Sequence, residues 1–134
     1  MDFSYSIDPA RGLATVEVSG DVSVEQAAEV ISTVSRDPRW QPGFSRLVDM
    51  RNARISFSKD GSRNLASVNA VEGRAAAGTP QHKVALVVTD ELSFGIASQY
   101  AAYSELQGVP TEVFRDPARA EAWLTQSAGS NVKA

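Results

Sequence analysis

The chain has 134 residues, the size of one ordinary domain whose core needs neither disulfides nor a structural metal. Cysteine is absent, which excludes disulfide frameworks, thiolate metal sites and cysteine nucleophiles and makes a reducing cytoplasm the expected location. The formal charge of −3 argues against nucleic acid as a partner, and no apolar run approaches the roughly 20 residues of a membrane span.

A β-hairpin is predicted at the amino terminus. Residues 3–7 alternate apolar and polar side chains, and residues 13–19 do the same. The segment 8–12 between them, Asp-Pro-Ala-Arg-Gly, is rich in turn formers. The two strands are therefore expected to be antiparallel neighbours with one solvent-facing side.

A helix and an aromatic loop follow the hairpin. Residues 23–36 begin with a serine three positions before a glutamine, the spacing of a capping box, and continue with apolar residues at helical spacing. The loop 37–44 contains two prolines and a glycine, which bar regular structure, yet it carries Trp40 and Phe44. These aromatics are expected to cover the sheet edge, or alternatively to anchor a partner.

The middle of the chain predicts two strands separated by a helix. Residues 46–49 indicate a short buried strand, and a weaker helical pattern runs from about 58 to 74. The small residues of Gly73 to Pro80 are typical of a mobile connector or lid. The run 84–88 is apolar throughout, as expected for a central parallel strand that is covered on both faces.

The last third predicts a helix, a strand and a second helix. Apolar residues recur at helical spacing from Leu92 to Tyr103, and Gly108 lies where this helix would stop. A fifth strand is predicted at 111–114. Asp116-Pro117 then places a capping side chain before a proline at the first position of a short final helix.

Together these elements predict an α/β fold with a mixed sheet. One domain at residues 1–126 would contain five mostly parallel strands, an amino-terminal antiparallel hairpin and about four helices, followed by a flexible tail at 127–134. Ligands and partners of such sheets usually dock at the carboxyl ends of the strands. Four predicted strands end near an aspartate: Asp21, Asp49, Asp90 and Asp116.

Short motifs at three strand ends point to a known family. They are Val18-Ser19-Gly20-Asp21, Leu47-Val48-Asp49-Met50-Arg51 and Phe114-Arg115-Asp116, the last followed by Ala120, Ala122, Trp123 and Leu124. With these motifs the chain resembles the SpoIIAA-like fold of STAS domains, the bacterial anti-sigma-factor antagonists and their relatives. The resemblance covers nearly the whole chain. It implies a non-enzymatic regulatory module that binds another protein, such as a kinase-like or sigma-regulatory partner.

The resemblance also implies a phosphoacceptor candidate. In phosphoregulated STAS domains an Asp-Ser pair opens the second helix, and a partner kinase phosphorylates the serine. Counted from Asp49, this pair falls on Phe57 and Ser58. Ser58 is therefore the candidate, with Asp49 as a nearby helper. Phe57 replaces the acidic residue, which is typical of a diverged, unphosphorylated branch in which Ser58 only caps the helix.

Several other residues are candidates for contact with a partner or a ligand. An apolar pocket beneath helix two, lined by Phe57, Leu65, Val68 and Tyr100, would instead make the protein a small-molecule or lipid-binding domain. Tyr100 and Tyr103 on helix three form a candidate homodimer surface. The complete set of candidate contact residues is Asp49, Arg51, Phe57, Trp40, Phe44, Ser93, Tyr100 and Tyr103.

No catalytic residue, metal or cofactor is predicted. Asp49 and Arg51 are expected to form an ion pair, and Ser93 competes with Asp90 as a helix cap. A metal-dependent enzyme would need at least two of the strand-end aspartates to converge on one ion, whereas aspartates at helix starts are explained by capping. His82 lies before the central strand, at the opposite edge from the other loops, and no P-loop or nucleophile elbow is present.

Overall fold

One five-stranded sheet is covered by helices on both of its faces. The computed structural model describes residues 1–73 and 83–125, with residues 71–73 described by their backbone alone. The predictions for residues 74–80, His82 and the tail 127–134 lie outside the described residues. The elements are β1 Asp2–Asp8, β2 Leu13–Val22, α1 Val24–Ser35, β3 Ser45–Ile55, α2 Lys59–Gly73, β4 Val84–Val87, α3 Glu91–Leu106, β5 Thr111–Phe114 and α4 Pro117–Thr125.

The strands lie in the sheet in chain order, β1 to β5. The β1–β2 pair is antiparallel and every other pair is parallel, which confirms the predicted mixed sheet. Gly12 closes the hairpin with a φ of +61°, in the left-handed region that glycine tolerates without strain. The chain therefore begins at one edge of the sheet and crosses it one strand at a time.

The strands β2 and β3 are longer than predicted. They remain paired in parallel as far as Val22 and Ile55, so Asp21 and Asp49 lie within strands rather than at or after their ends. The predicted end of the third strand at Asp49 is wrong. A register shift opposite Glu17 and Ser19 gives β3 an extra residue, and this bulge lets the strand continue with its apolar side chains on the covered face.

Two hydrophobic layers hold the helices to the sheet. The larger layer joins α1, α2 and α3 to one face and includes Val16, Met50 and Leu86. The smaller layer joins α4 to the other face through Ala120 and Leu124. The strand β4 contributes to both layers and is buried throughout, as the apolar run 84–88 predicts.

Helix caps follow the sequence signals closely. Ser23 forms the predicted capping box with Gln26 at the start of α1. The Asp90 carboxylate accepts a hydrogen bond from the backbone N–H of Ser93 at 2.9 Å, and Asp116 accepts one from the N–H of Ala118 at 3.1 Å. Two of the four aspartates therefore act as helix caps, which accounts for their positions without a ligand.

Candidate functional site

A cavity lies beneath α2, between the sheet and the three helices that cover its larger layer. Its volume is about 80 Å³. The wall is mostly apolar and includes Phe57, Leu65 and Tyr100, three of the residues that the sequence predicts around such a pocket. The fourth, Val68, does not line the cavity and is 37 % exposed. A cavity beneath helix two is therefore present, with a wall that differs from the predicted one.

A buried arginine lies in the wall of this cavity. Arg46, the second residue of β3, is only 3 % exposed. Its Nη2 donates to Ser35 Oγ at 2.7 Å, and its Nη1 donates to Asn69 Oδ1 on α2. The guanidinium carbon lies 4.5 Å from the centre of the Trp40 ring, which packs edge-on against Phe44 at 5.6 Å. Arg46 thus connects α1, α2 and the aromatic loop at the amino end of the sheet.

The amide of Asn69 has a fixed orientation. Because a guanidinium only donates hydrogen bonds, the atom that faces Arg46 must be the oxygen Oδ1, and Nδ2 points elsewhere. Asn69 is 1 % exposed and lines the cavity. Within residues 1–73 and 83–125, Nδ2 has no hydrogen-bond partner. The cavity wall therefore contains a buried donor whose hydrogen-bonding capacity is unused.

Tyr100 on α3 lines the cavity with its phenol side chain. Burial raises the pKa of Tyr100, while the nearby Ser104 hydroxyl and the charge of Arg46 act in the opposite direction. The net upward shift keeps the phenol neutral at physiological pH. Tyr100 is 5 % exposed, so it does not belong to a surface, and the homodimer surface predicted from Tyr100 and Tyr103 is corrected accordingly.

The helix α2 covers the cavity with little apolar surface of its own. Among its residues whose side chains are described, those buried against the rest of the protein are Ser62, Leu65, Ala66, Asn69 and Ala70. Only Leu65 is a large apolar residue, so the described part of α2 gains little from hydrophobic burial. This packing matches the weak helical pattern in the sequence.

Sequence reasoning missed both Arg46 and Asn69, although each has a signal. Arg46 precedes Val48 and Met50 by two and four residues, so the alternation of a strand turns it toward the covered face. Asn69 follows Leu65 by four residues and shares the buried stripe of α2. Each of them is a polar residue at a position that the periodicity of its strand or helix turns toward the core, and this pattern marks it as a candidate site residue.

Ser58 caps α2 and is exposed. Its Oγ accepts a hydrogen bond from the backbone N–H of Gly61 at 3.0 Å. Asp49 is not beside it, because β3 continues for six residues beyond Asp49, a rise of about 20 Å, before the chain reaches Ile55. The geometry therefore corrects the expectation that Asp49 assists Ser58.

Asp49 forms the predicted ion pair with Arg51, with 2.8 Å between Oδ2 and Nη2. Hydrogen bonds from the Arg51 side chain hold the pKa of Asp49 below its usual value. Glu17 on β2 lies directly across from Asp49 in the parallel register. In the described part of the chain, no three histidine, cysteine or carboxylate side chains are close enough together to hold a metal ion.

The remaining candidates have structural contacts. Ser93 is 1 % exposed and accepts a hydrogen bond from the backbone N–H of Ile55 at 3.1 Å, which ties α3 to the end of β3. Tyr103 is half-buried, and the guanidinium carbon of Arg63 on α2 lies 5.3 Å from the centre of its ring. Trp40 is 7 % exposed, so it is largely removed from the surface.

None of the helices within residues 1–73 and 83–125 has the length and apolar character needed to cross a membrane.

Comparison with known proteins identifies the fold. No family model and no curated protein matches the chain. A similar solved structure is the crystal structure of an uncharacterized protein of the DUF3478 family, with a SpoIIAA-like fold, from Shewanella loihica PV-4. The two chains are 14 % identical with a TM-score of 0.55, and the match covers 91 % of this chain and 93 % of the other. The protein therefore has a SpoIIAA-like fold, which confirms the predicted resemblance.

Proposed function

We propose that this protein is a non-enzymatic binding domain of STAS type that holds a small, mostly apolar molecule in the cavity beneath α2. The cavity itself is the observation that supports this proposal. Protein cores are normally packed without voids of this size.

The size of the cavity limits what it holds. An engineered apolar cavity of about 150 Å³ accommodates benzene, so 80 Å³ suits a molecule of fewer heavy atoms when α2 keeps its position. A larger ligand requires α2 to move away from the sheet. In this displacement the described part of α2 would expose a single large apolar side chain of its own, Leu65.

Binding of methylenecyclobutane, an apolar molecule of five carbons, tests the proposal. We expect the methyl resonances of Val48, Leu65 and Leu86 to shift on titration, because these side chains line the cavity. In an Ala27→Leu variant, the larger side chain occupies part of the cavity. The affinity for methylenecyclobutane should fall about tenfold or more, because the molecule loses apolar contact with the cavity wall. The measurement is a titration followed by NMR.

Ala102→Leu is the matched control, since Ala102 is exposed on α3 and the same substitution there leaves the cavity unchanged. Its affinity should equal that of the unmodified protein. Absence of methyl shifts in the unmodified protein, or equal binding by both leucine variants, would contradict binding in this cavity.

A second candidate function is regulated protein binding through Ser58. Exposure of this hydroxyl at the first turn of α2 favours it, because a kinase needs an accessible acceptor. A phosphate at a helix amino terminus would interact favourably with the free N–H groups and the helix dipole. In this alternative, a kinase-like or sigma-regulatory partner binds the unmodified surface around the start of α2, and phosphorylation changes that binding.

A further inference from the structure

We infer that the ligand of the cavity carries a hydrogen-bond-accepting oxygen, and that this oxygen binds Nδ2 of Asn69. The inference depends on the proposed cavity function and specifies the chemistry of its ligand: an apolar body with one carbonyl-type or carboxylate oxygen. Asn69 lines the cavity beside Arg46, near the amino ends of β3 and β4. Phe57 lies at the other end of the cavity, after the carboxyl end of β3.

Arg46 fixes the orientation of the Asn69 amide. The hydrogen bond from Arg46 Nη1 occupies Oδ1, which leaves Nδ2 as the amide group that can bind a ligand. Because Nδ2 is buried, a ligand oxygen reaches it only when neighbouring side chains or α2 shift. This donor is buried and has no acceptor among the described residues. A buried donor without a partner is costly, and a ligand oxygen would remove that cost when it binds.

The charge of Arg46 increases the strength of the Asn69 donor. The positively charged Arg46 withdraws electron density from the amide through Oδ1, and hydrogen bonds linked in this way strengthen one another. The Asn69 N–H groups are therefore better donors than those of an isolated amide. An oxygen with negative or partly negative charge gains most from them.

Most of the cavity wall is apolar, in contrast to the Asn69 amide. Side chains such as Val18, Val48, Leu65 and Leu86 offer a ligand only apolar contact. A molecule with polar groups along its length would lose its hydration there without compensation. The cavity thus favours one oxygen near Asn69 and hydrocarbon elsewhere.

A pair of isosteric molecules tests the inference on the intact protein. Cyclobutanone and methylenecyclobutane have the same ring and differ in an exocyclic oxygen or methylene group. We expect cyclobutanone to bind about fivefold more tightly or better, because only it satisfies the buried donor. The side-chain NH₂ resonances of Asn69 should shift with cyclobutanone and not with the hydrocarbon.

Asn69→Asp provides the decisive variant. A carboxylate still accepts the hydrogen bond from Arg46 but has no N–H to donate, so the preference for the ketone should disappear while methylenecyclobutane still binds. Asn64→Asp is the matched control, since Asn64 is exposed on the same helix. It should retain the preference.

The outcomes separate the two proposals. Equal affinity of the unmodified protein for both molecules overturns the oxygen site and leaves the apolar cavity function standing. A ketone preference that persists in Asn69→Asp also overturns it. Binding of neither molecule overturns the inference together with the proposed function. If isobutyrate binds more tightly than cyclobutanone, the ligand oxygen belongs to a carboxylate. If cyclobutanone binds more tightly, the oxygen belongs to a neutral carbonyl. Either result supports the inference when the preference for an oxygen-containing molecule depends on Asn69.

Discussion

At the scale of single residues, the Ser58 hydroxyl caps α2, and phosphorylation would modify this same hydroxyl. Its Oγ accepts the N–H of Gly61, and the residue is exposed to solvent. Addition of a phosphate would keep an acceptor at this position while adding charge. Stability and partner binding therefore respond differently to substitutions of Ser58.

Ser58→Ala removes the capping acceptor and should lower the free energy of unfolding by about 1 kcal/mol. Ser58→Asp should retain most of the stability, because aspartate is an equally good cap and its charge favours a helix amino terminus. Urea denaturation measures both. Mass spectrometry of the protein captured from its native cells then determines whether Ser58 carries phosphate.

Ser98→Ala on α3 is the control, because Ser98 is exposed within a helix and is not at its end. Its stability should be unchanged or slightly higher. If Ser58→Ala were as stable as Ser98→Ala, the capping role would be wrong. A captured protein with phosphate on Ser58 and a bound kinase would favour the regulated alternative.

At the scale of secondary structure elements, α2 and α3 differ in how closely they approach their neighbours. A Cβ atom added to Gly61 on α2 would lie 2.6 Å from Cγ2 of Val24, at the start of α1. A Cβ added to Gly95 on α3 would have no atom within 4 Å. A Cβ atom at Gly61 would therefore require Val24 to shift, whereas at Gly95 glycine only weakens the helix.

Gly95→Ala should stabilise the protein by about 0.5–1 kcal/mol, because alanine is the better helix former. Gly61→Ala gains the same propensity but must displace Val24, so we expect a net loss of stability. Urea denaturation of the two variants measures the difference. Equal stabilisation by both would show that α2 moves away from α1 without cost.

At the scale of the whole molecule, several carboxylates make stability depend on pH. Asp37, in the loop between α1 and β3, accepts a hydrogen bond from the hydroxyl of Tyr5 on β1 at 2.9 Å and is paired with Arg39 at 2.8 Å. Hydrogen bonds from Arg39 hold the pKa of Asp37 well below its usual range. Side-chain hydrogen bonds from Arg51 act in the same direction on the pKa of Asp49.

Because these pKa values are lower in the folded than in the unfolded chain, the carboxylates contribute their full stabilisation above about pH 4. The contribution is lost as the pH falls through the folded pKa values. Asp37→Asn should therefore be less stable than the unmodified protein at neutral pH and should lose less stability on acidification. Urea midpoints between neutral pH and about pH 3 measure this.

Asp60→Asn is the comparison for this prediction, since its side chain is 86 % exposed. It should follow the pH profile of the unmodified protein. A profile of Asp37→Asn that coincides with that of Asp60→Asn would exclude Asp37 as a source of acid sensitivity.

Much of the fold follows from local patterns in the chain. The hairpin, the capping box at Ser23 and the buried run of β4 are each encoded within a few neighbouring residues, and each is present. The end of β3 was not predictable in this way. Polar residues such as Arg51 and Arg54 suggest a loop, but pairing with β2 and the bulge keep this segment in the sheet.

The residues of the candidate site likewise fall into those that the sequence predicted and those that it did not. Phe57, Leu65 and Tyr100 were predicted around a pocket beneath helix two because their apolar character and helical spacing are local properties. The pair Arg46 and Asn69 was missed, since these residues are 23 positions apart and meet only when α2 lies across β3. Ligand sites were also expected at the carboxyl ends of the strands, whereas this pair lies toward the amino end of the sheet.

The amino-acid sequence thus determined the class of fold, the order of its elements and most helix ends, because periodicity and capping depend on neighbours along the chain. Only the tertiary structure decided that a cavity remains beneath α2 and that the buried Nδ2 of Asn69 in its wall has no partner among residues 1–73 and 83–125. Both properties depend on how side chains from separate elements fill a shared volume, and no local pattern specifies that filling.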